Sequence, residues 1–333
     1  MYTSTLLARL EEQLSASLGE WRLPADTHIE LLTTSENATF LARCPRTGRR
    51  YVLRLHRPDY HSREEIESEL AWTAALRADG RITTPAPLPT TGRSPVVTFD
   101  LDGQRFHAVA FEHLPGDAPA MDDTLPAWFE KLGALTATLH DHSRRWEPPA
   151  GFVRKRWHLD SMIGTEALWG DWRRAPGLLD ADERAIDQAI EQIHRVIDTY
   201  EAREERYGLI HADLRLANLL VEGRELAVID FDDCGFCWYA FDFAAAISFF
   251  ELDPLIPTLR EAWIRGYRRV GDFDAEDVAA LDTFIMIRRI MLSAWLATHA
   301  DSQAAQALEK NFIAGTATLA RAYLSTARDA ARV

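Results

Sequence analysis

Apolar positions along the chain alternate between two periods, and the period assigns most elements. Leu6, Leu7, Leu10, Leu14 and Leu18 recur at helical spacing, which predicts an amphipathic helix over 4–18. Residues 29–33 and 41–44 then read as strands on either side of a small polar turn, Ser35-Glu36-Asn37-Ala38-Thr39-Phe40. Residues 50–58 form a further β-run with alternating faces. Residues 62–77 return to helical spacing, with Ser62 as N-cap and Glu65 three residues on completing a capping box. Residues 81–87 are extended, because each proline biases the residue before it away from helix. Two strands, 95–101 and 106–112, are joined by Asp102-Gly103. Past Pro115-Gly116 the pattern turns helical. Leu132, Leu135, Leu139 and His140 share one face of a long helix beginning near Leu125, and Ile186, Ile190, Ile193 and Ile197 mark another over 181–200. Short apolar runs at 219–221 and 226–229 flank Glu222-Gly223-Arg224 and predict a β-hairpin. Residues 238–243 begin a helix rich in Ala and Phe, and 255–326 reads as helix throughout.

This order predicts an α+β protein in two parts: a β-rich, nucleotide-binding part over 1–113 with a small antiparallel sheet, and a larger, mainly helical part over 114–333 carrying the catalytic loop and metal site. At 333 residues and 47% hydrophobic, the chain can bury a sizeable core. No apolar run reaches membrane-spanning length; 240–250 comes nearest, but it is short and carries Asp242. The opening MYTSTLLARLEEQL has acids within its apolar pattern and reads as helix, not signal peptide. Three cysteines point away from a disulfide framework and towards a reducing compartment, the cytoplasm. Cys234 and Cys237 make a C-x-x-C without a second pair or a nearby histidine at zinc spacing. A net charge of −14 argues against nucleic acid as the partner.

The chemistry concentrates between Gly208 and Asp233. His211-x-Asp213-x4-Asn218 is followed by the hairpin and then by Ile229-Asp230-Phe231-Asp232-Asp233. A hairpin brings its open ends together, so Asn218 and Asp230 are expected at one end of it, beside Asp213. Two carboxylates and an amide oxygen are hard ligands of the kind Mg²⁺ takes together with nucleotide phosphates. The spacing is that of a phosphoryl-transfer loop, in which the first Asp receives the acceptor's proton and the Asn and second Asp hold metal. Asp213, with His211 beside it, is therefore the expected catalytic pair, and Asn218 and Asp230 the expected metal ligands.

Upstream residues fall where a nucleotide would be held. Arg54 stands at the position of a phosphate-pairing lysine, and Glu69, near the edge of the apolar face of its helix, is chosen as its partner. The turn after the first strand lacks the glycines of a phosphate-covering loop, so Ser35 and Asn37 would act there through side chains and backbone amides. Glu112 C=O and Leu114 N–H are the expected hinge contacts to an adenine edge. Asp242, inside an apolar run, needs a partner if buried, and is expected to accept from the backbone of the catalytic loop. Trp157, Trp169 and Trp172 either line an acceptor pocket or pack the helical part. Asp232, Asp233 and Glu251 either line an acidic cleft or are surface charge.

With YVLRLHRP, the TPAP segment, FEHLPG, HADLRLANLLV and IDFDD, the chain resembles the aminoglycoside-phosphotransferase-like branch of the protein-kinase-like fold, over nearly its whole length, and within it the stress-response kinase A and homoserine kinase-like group. The resemblance implies a two-lobed kinase fold with ATP and Mg²⁺ as cosubstrates. It implies Asp213 as base, Asn218 and Asp230 as metal ligands and Asp242 as a structural acid. Three departures stand out: Arg54 for the usual Lys, Leu214-Arg215 after the base, and no activation segment after IDFDD. The expected reaction moves the γ-phosphoryl group to the hydroxyl of a small molecule such as an amino alcohol or aminoglycoside. A protein Ser/Thr kinase of the stress-response type and an inactive nucleotide-binding module are the alternatives.

Overall fold

A computed structural model describes residues 2–34, 37–92, 94–201, 203–299 and 303–330. The chain divides into two compact units. The first comprises Met1–Gly116, Glu147–Arg154 and Ala227–Asp232; the second comprises Asp117–Trp146, Lys155–Leu226 and Asp233–Val333.

In the first unit, helix α1 (Ser4–Ser17) runs into a 3-10 turn, Leu18–Trp21. Strands β1 (His28–Thr34), β2 (Ala38–Arg43) and β3 (Arg50–His56) follow, then helix α2 (Arg63–Asp79) and strands β4 (Val97–Leu101) and β5 (Gln104–Glu112). The strands form one antiparallel sheet in the order β1-β2-β3-β5-β4. The two-residue period of β3 and β5 sorts their side chains. Leu53, Leu55, Phe106, Ala108 and Ala110 join a core with Leu10 and Leu14 of α1. Val109 and Phe111 point the other way and pack with Ile66 and Leu70 of α2. Burying each of the Leu, Ile, Val and Phe side chains among these contributes roughly 1.5–3 kcal/mol of transfer free energy. Helix α2 starts with the expected capping box: Glu65 N–H donates to Ser62 Oγ at 3.2 Å, and Ser62 N–H donates to the Glu65 carboxylate at 2.8 Å. Strand β2 begins at Ala38, earlier than the sequence pattern suggests, because Ala38, Phe40 and Ala42 are all buried in the α1 core.

The second unit contains α3 (Leu125–Arg145), β6 (Lys155–Arg156), α4 (Leu159–Ile163), α5 (Asp180–Tyr200), β7 (Tyr207–Ile210) and β8 (Leu219–Glu222). β8 pairs with β9 (Glu225–Val228) in the expected two-stranded hairpin, closed at Gly223 with φ 60°. Beyond it lie β10 (Gly235–Trp238), α6 (Phe241–Ala246), α7 (Ile256–Tyr267), α8 (Ala275–Thr298) and α9 (Gln303–Ala330). Helices α3 and α7 touch backbone to backbone through two glycines. A Cβ on Gly133 would lie 2.0 Å from Trp263 O, and one on Gly266 would lie 1.8 Å from Glu130 O.

Two local expectations change in this unit. Residues 235–238 form a strand, in the sheet order β6-β10-β7, so the Ala/Phe helix starts only at Phe241. Ladder pairing of Gly235 with both Lys155 and Ile210 outweighs the helical pattern of the side chains. The tryptophans of the irregular stretch are interior: Trp157, Trp169 and Trp172 are all buried, and pack the unit. Among the described residues no helix is long and apolar enough to cross a membrane.

Candidate active site

Strand register explains why Arg54 is where it is. Arg54 pairs with Val109 across β3 and β5, and so shares the face that packs on α2. Glu69 of α2 is on that side. The Arg54 guanidinium donates through Nη2 to both Glu69 carboxylate oxygens, at 2.6 and 2.5 Å, and through Nη1 to Asp230 Oδ1 at 3.0 Å. The pair anticipated from sequence is thus a buried, two-oxygen clamp. Burial alone would lower the pKa of Arg54; Glu69, Asp232 and Asp230 outweigh it and hold the guanidinium firmly charged.

Asp230 and Asp232 sit two residues apart with opposite surroundings. The Asp230 side chain is 38% exposed and that of Asp232 is 8% exposed. Asp230 has φ 63°, a left-handed conformation that Asp tolerates better than most residues. Phe231 beside it packs edge-on against Trp72 with centroids 5.4 Å apart. Asp232 accepts from Asn37 Nδ2 at 2.8 Å, lies 3.3 Å from His56 Nδ1 and 3.3 Å from His61 Nε2, and its backbone oxygen takes the Arg154 guanidinium. Burial would raise the Asp232 carboxyl; His61 and Arg54 hold it well below the usual range. His56 is pushed down to about 4, by burial first and then by Arg54, and so stands neutral.

This cluster alters one expectation. Asn37 does not face outward from its turn: its amide nitrogen is given to Asp232 and its oxygen accepts Arg57 N–H at 3.3 Å. The carboxylate, buried on the same side of the sheet, outbids solvent for the amide. Ser35, the other turn residue, lies outside the described residues. Glu112 ends β5 opposite Tyr51, and Leu114, half-buried, follows it outside regular secondary structure. His56, Glu69 and Asp232 have ligand atoms within 4.8 Å of one another, but the Arg54 guanidinium already fills that place with positive charge.

In the second unit, β7 delivers the loop that carries His211, Asp213 and Asn218. Ala212 has φ 65°, unusual for a residue with a side chain, and is held there from both sides. Its N–H donates to Asp242 Oδ1 at 2.7 Å, and its carbonyl accepts from Arg288 Nη1 at 3.4 Å. Asp242 also accepts His211 N–H at 3.3 Å, so it braces the loop backbone as anticipated. His140 Nε2 lies 3.0 Å from the same carboxylate, and its Nδ1 lies 2.8 Å from Tyr267 Oη. The His211 ring is buried, and its Nδ1 accepts Asp213 N–H at 3.2 Å.

Asp213 is held by side chains on both oxygens. Oδ2 accepts from Asn218 Nδ2 at 2.7 Å and Arg215 Nε at 3.1 Å; Oδ1 accepts from Arg288 Nη2 at 2.5 Å. Burial would raise its pKa, and the guanidiniums of Arg215 and Arg288 bring it below the ordinary carboxylate value. Asn218 spends its amide hydrogens on the Asp213 carboxylate and backbone carbonyl, at 2.7 and 2.9 Å.

Arg288 escaped sequence analysis, though a signal was present. It sits in FIMIRRIML, within a stretch of α8 that is buried from Thr283 to Ala294. A cation in such a run must have an acid partner. The neighbouring Arg289 meets Glu251 at 2.5 Å, and Asp233 meets Lys155 at 3.4 Å, so both acids are committed inside the protein. Cys234 and Cys237 are buried and outside any disulfide, and burial pushes the Cys237 thiol well up, away from the thiolate that metal or redox chemistry needs.

Residues 29–281 match the model of the phosphotransferase enzyme family. The chain is 22% identical over 317 residues to amicoumacin kinase of Bacillus subtilis (strain 168), covering 92% of this chain and 90% of that protein. It is 40% identical to the solved microcompartment-associated aminopropanol kinase, with a TM-score of 0.87 over 95% of this chain and 98% of that one. The amicoumacin kinase hAmiN, solved with AMP-PNP, Ca²⁺ and Ami, shares the fold at 20% identity and a TM-score of 0.76, over 95% of this chain and 96% of that one. The fold is protein-kinase-like, and the chain belongs to the phosphotransferase enzyme family.

Proposed function

We propose that the protein transfers the γ-phosphoryl group of Mg·ATP to the hydroxyl of a small, amine-bearing acceptor of the amino-alcohol class. The observation that carries this reading is Asp213: a carboxylate fixed by Arg288, Arg215 and Asn218 at the head of the loop. Its lowered basicity suits a group that orients the acceptor hydroxyl and takes its proton late, when the bond to phosphorus is largely made. Asn218 and Asp230 would offer oxygens to Mg²⁺, which would neutralise phosphate charge. Arg54, set by Glu69, adds a fixed guanidinium towards the phosphates. Glu112 and Leu114 offer backbone groups to the adenine. His211 acts through the Asp213 backbone it braces.

The named relatives are kinases of small molecules, amicoumacin and aminopropanol, which favours a small acceptor over a protein Ser/Thr substrate. An inactive module would not retain Asp213, Asn218 and Asp230 together. Three buried cysteines outside any disulfide accord with a cytoplasmic setting.

The test is Mg²⁺-dependent ATP turnover across aminopropanol, ethanolamine, choline, homoserine, aminoglycosides and casein, with Asp213→Asn as control. Transfer to one small compound that falls at least about 100-fold in Asp213→Asn is expected. Labelling of casein alone would replace the small-molecule reading, and full turnover by Asp213→Asn would remove the base assignment.

A further inference from the structure

We infer that Arg288, on a helix some seventy residues beyond the catalytic loop, is the positioning residue for Asp213; the inference rests on Asp213 being the base. The guanidinium is built into the protein rather than left to solvent. Its side chain is 2% exposed, and Ser248 Oγ accepts its Nε–H at 2.9 Å. The Trp169 ring lies 4.9 Å from its central carbon, with the Phe241 ring at 6.0 Å. From this seat it reaches the loop at two points, the Ala212 carbonyl and Asp213 Oδ1.

The two contacts do different things. The bond to Ala212 O, opposite the Asp242 bond to Ala212 N, clamps the left-handed peptide that turns the chain into Asp213. The bond to Oδ1 fixes the rotation of the carboxylate. Oδ2 already takes Asn218 and Arg215, so Arg288 decides how the remaining oxygen is presented. A planar fork suits this; the point charge of a lysine would not span carbonyl and carboxylate together. Arg288 is thereby distinct from Arg289 one residue on. That side chain binds Glu251, Thr316 and Phe312 O.

Positioning of this kind raises turnover without changing nucleotide affinity. The experiment measures kcat and KM for ATP in Arg288→Gln and Arg288→Lys, each alone and in an Asp213→Asn background. The acceptor is the panel compound turned over fastest, or water, read as Mg·ATP hydrolysis, where no compound is phosphorylated. Expected is a loss in kcat of about 30-fold or more for Arg288→Gln, partial recovery in Arg288→Lys, and a KM for ATP within about threefold of the parent. In the Asp213→Asn background, Arg288→Gln should change kcat by less than about threefold, because the oxygen it presents no longer accepts a proton. Should Arg288→Gln fail to fold, Ser248→Ala loosens the same guanidinium, and a kcat loss of about two- to fivefold at unchanged KM is expected. Parent-like kcat in Arg288→Gln, or the same fold-loss with and without Asp213, overturns the inference. A rise confined to the acceptor KM also overturns it, since Arg288 would then be reading the acceptor. Full turnover by Asp213→Asn alone is a different failure, that of the base assignment, and is seen without reference to Arg288.

Discussion

Two buried arginines, one in each unit, hold acids of the candidate site, and they do so on different terms. Arg54 sits on a strand among three carboxylates, Glu69, Asp230 and Asp232, at 2.5, 3.0 and 3.8 Å. Arg288 sits on a helix with one carboxylate, Asp213 at 2.5 Å, and aromatic rings around it. The Arg54 cluster carries more acid than base, and Asp230 is its most exposed acid. Asp213 is the reverse: one acid under two guanidiniums, Arg288 and Arg215, with lowered basicity. Surplus negative charge suits metal binding; a subdued, rigid carboxylate suits orienting a hydroxyl.

Removing each arginine should separate the two arrangements most sharply. Arg54→Met leaves three acids facing one another in a buried place, and a loss of about 3–5 kcal/mol of stability is expected from breaking such a pair. Thermal unfolding and the KM for ATP should both move. Arg288→Met leaves Asp213 still bonded to Arg215 and Asn218, so a smaller stability loss of about 2 kcal/mol is expected. A larger loss at Arg288 than at Arg54 would invert the comparison.

The two clusters were not equally legible. Arg54 and Glu69 could be paired from sequence by local rules: Arg54 stands at the position of a phosphate-pairing lysine, and spacing from Ile66, Leu70 and Trp72 puts Glu69 near the edge of the apolar face of its helix. The Asp213–Asn218 contact at 2.7 Å was legible from loop spacing, and the bracing of the loop backbone by Asp242 from its isolation in an apolar run. Arg288, His56 and His61 were missed because their partners lie far along the chain or follow from packing. Arg288 reaches Asp213 across seventy-five positions, and no local period encodes that. The strand at 235–238 was missed for the same reason. Its pairing partners, Lys155–Arg156 and Tyr207–Ile210, are remote, and the Ala- and Phe-rich pattern around it is helical when read alone.

A pH titration of stability should sharpen the contrast at the next level down. His56 has its folded pKa pushed to about 4 by burial, then by Arg54, whereas the unfolded side chain takes up its proton near 6.5. Between those values the unfolded chain binds more protons. Stability is therefore complete above about pH 6.5 and falls as pH drops towards 4, by about 1–3 kcal/mol from this group. His140 in the second unit is shifted the same way by burial, with Asp242 opposing. His56→Asn should flatten the acid limb of a melting-temperature profile; an unchanged limb would assign the loss elsewhere, to His140 first.

The smallest effect tests whether Glu69 is placed by its helix or by Arg54. Helix α2 owes its start to the reciprocal Ser62–Glu65 box, and Glu69 follows Glu65 by one turn. Ser62→Ala removes one cap bond and should cost about 1 kcal/mol of stability. If the salt bridge at 2.5 Å is what positions Glu69, fraying of the first turn stops short of it, and the KM for ATP stays within about twofold of the parent. If the cap positions it, the KM should rise with the loss of stability. Arg288 has no such dependence: it sits four turns into α8, past the Asp274–Asp277 box, and Asp274→Ala should lower the melting temperature while leaving turnover unchanged. A fall in turnover there would mean that the helix start, rather than the Ser248 and aromatic seat, holds the guanidinium against Asp213.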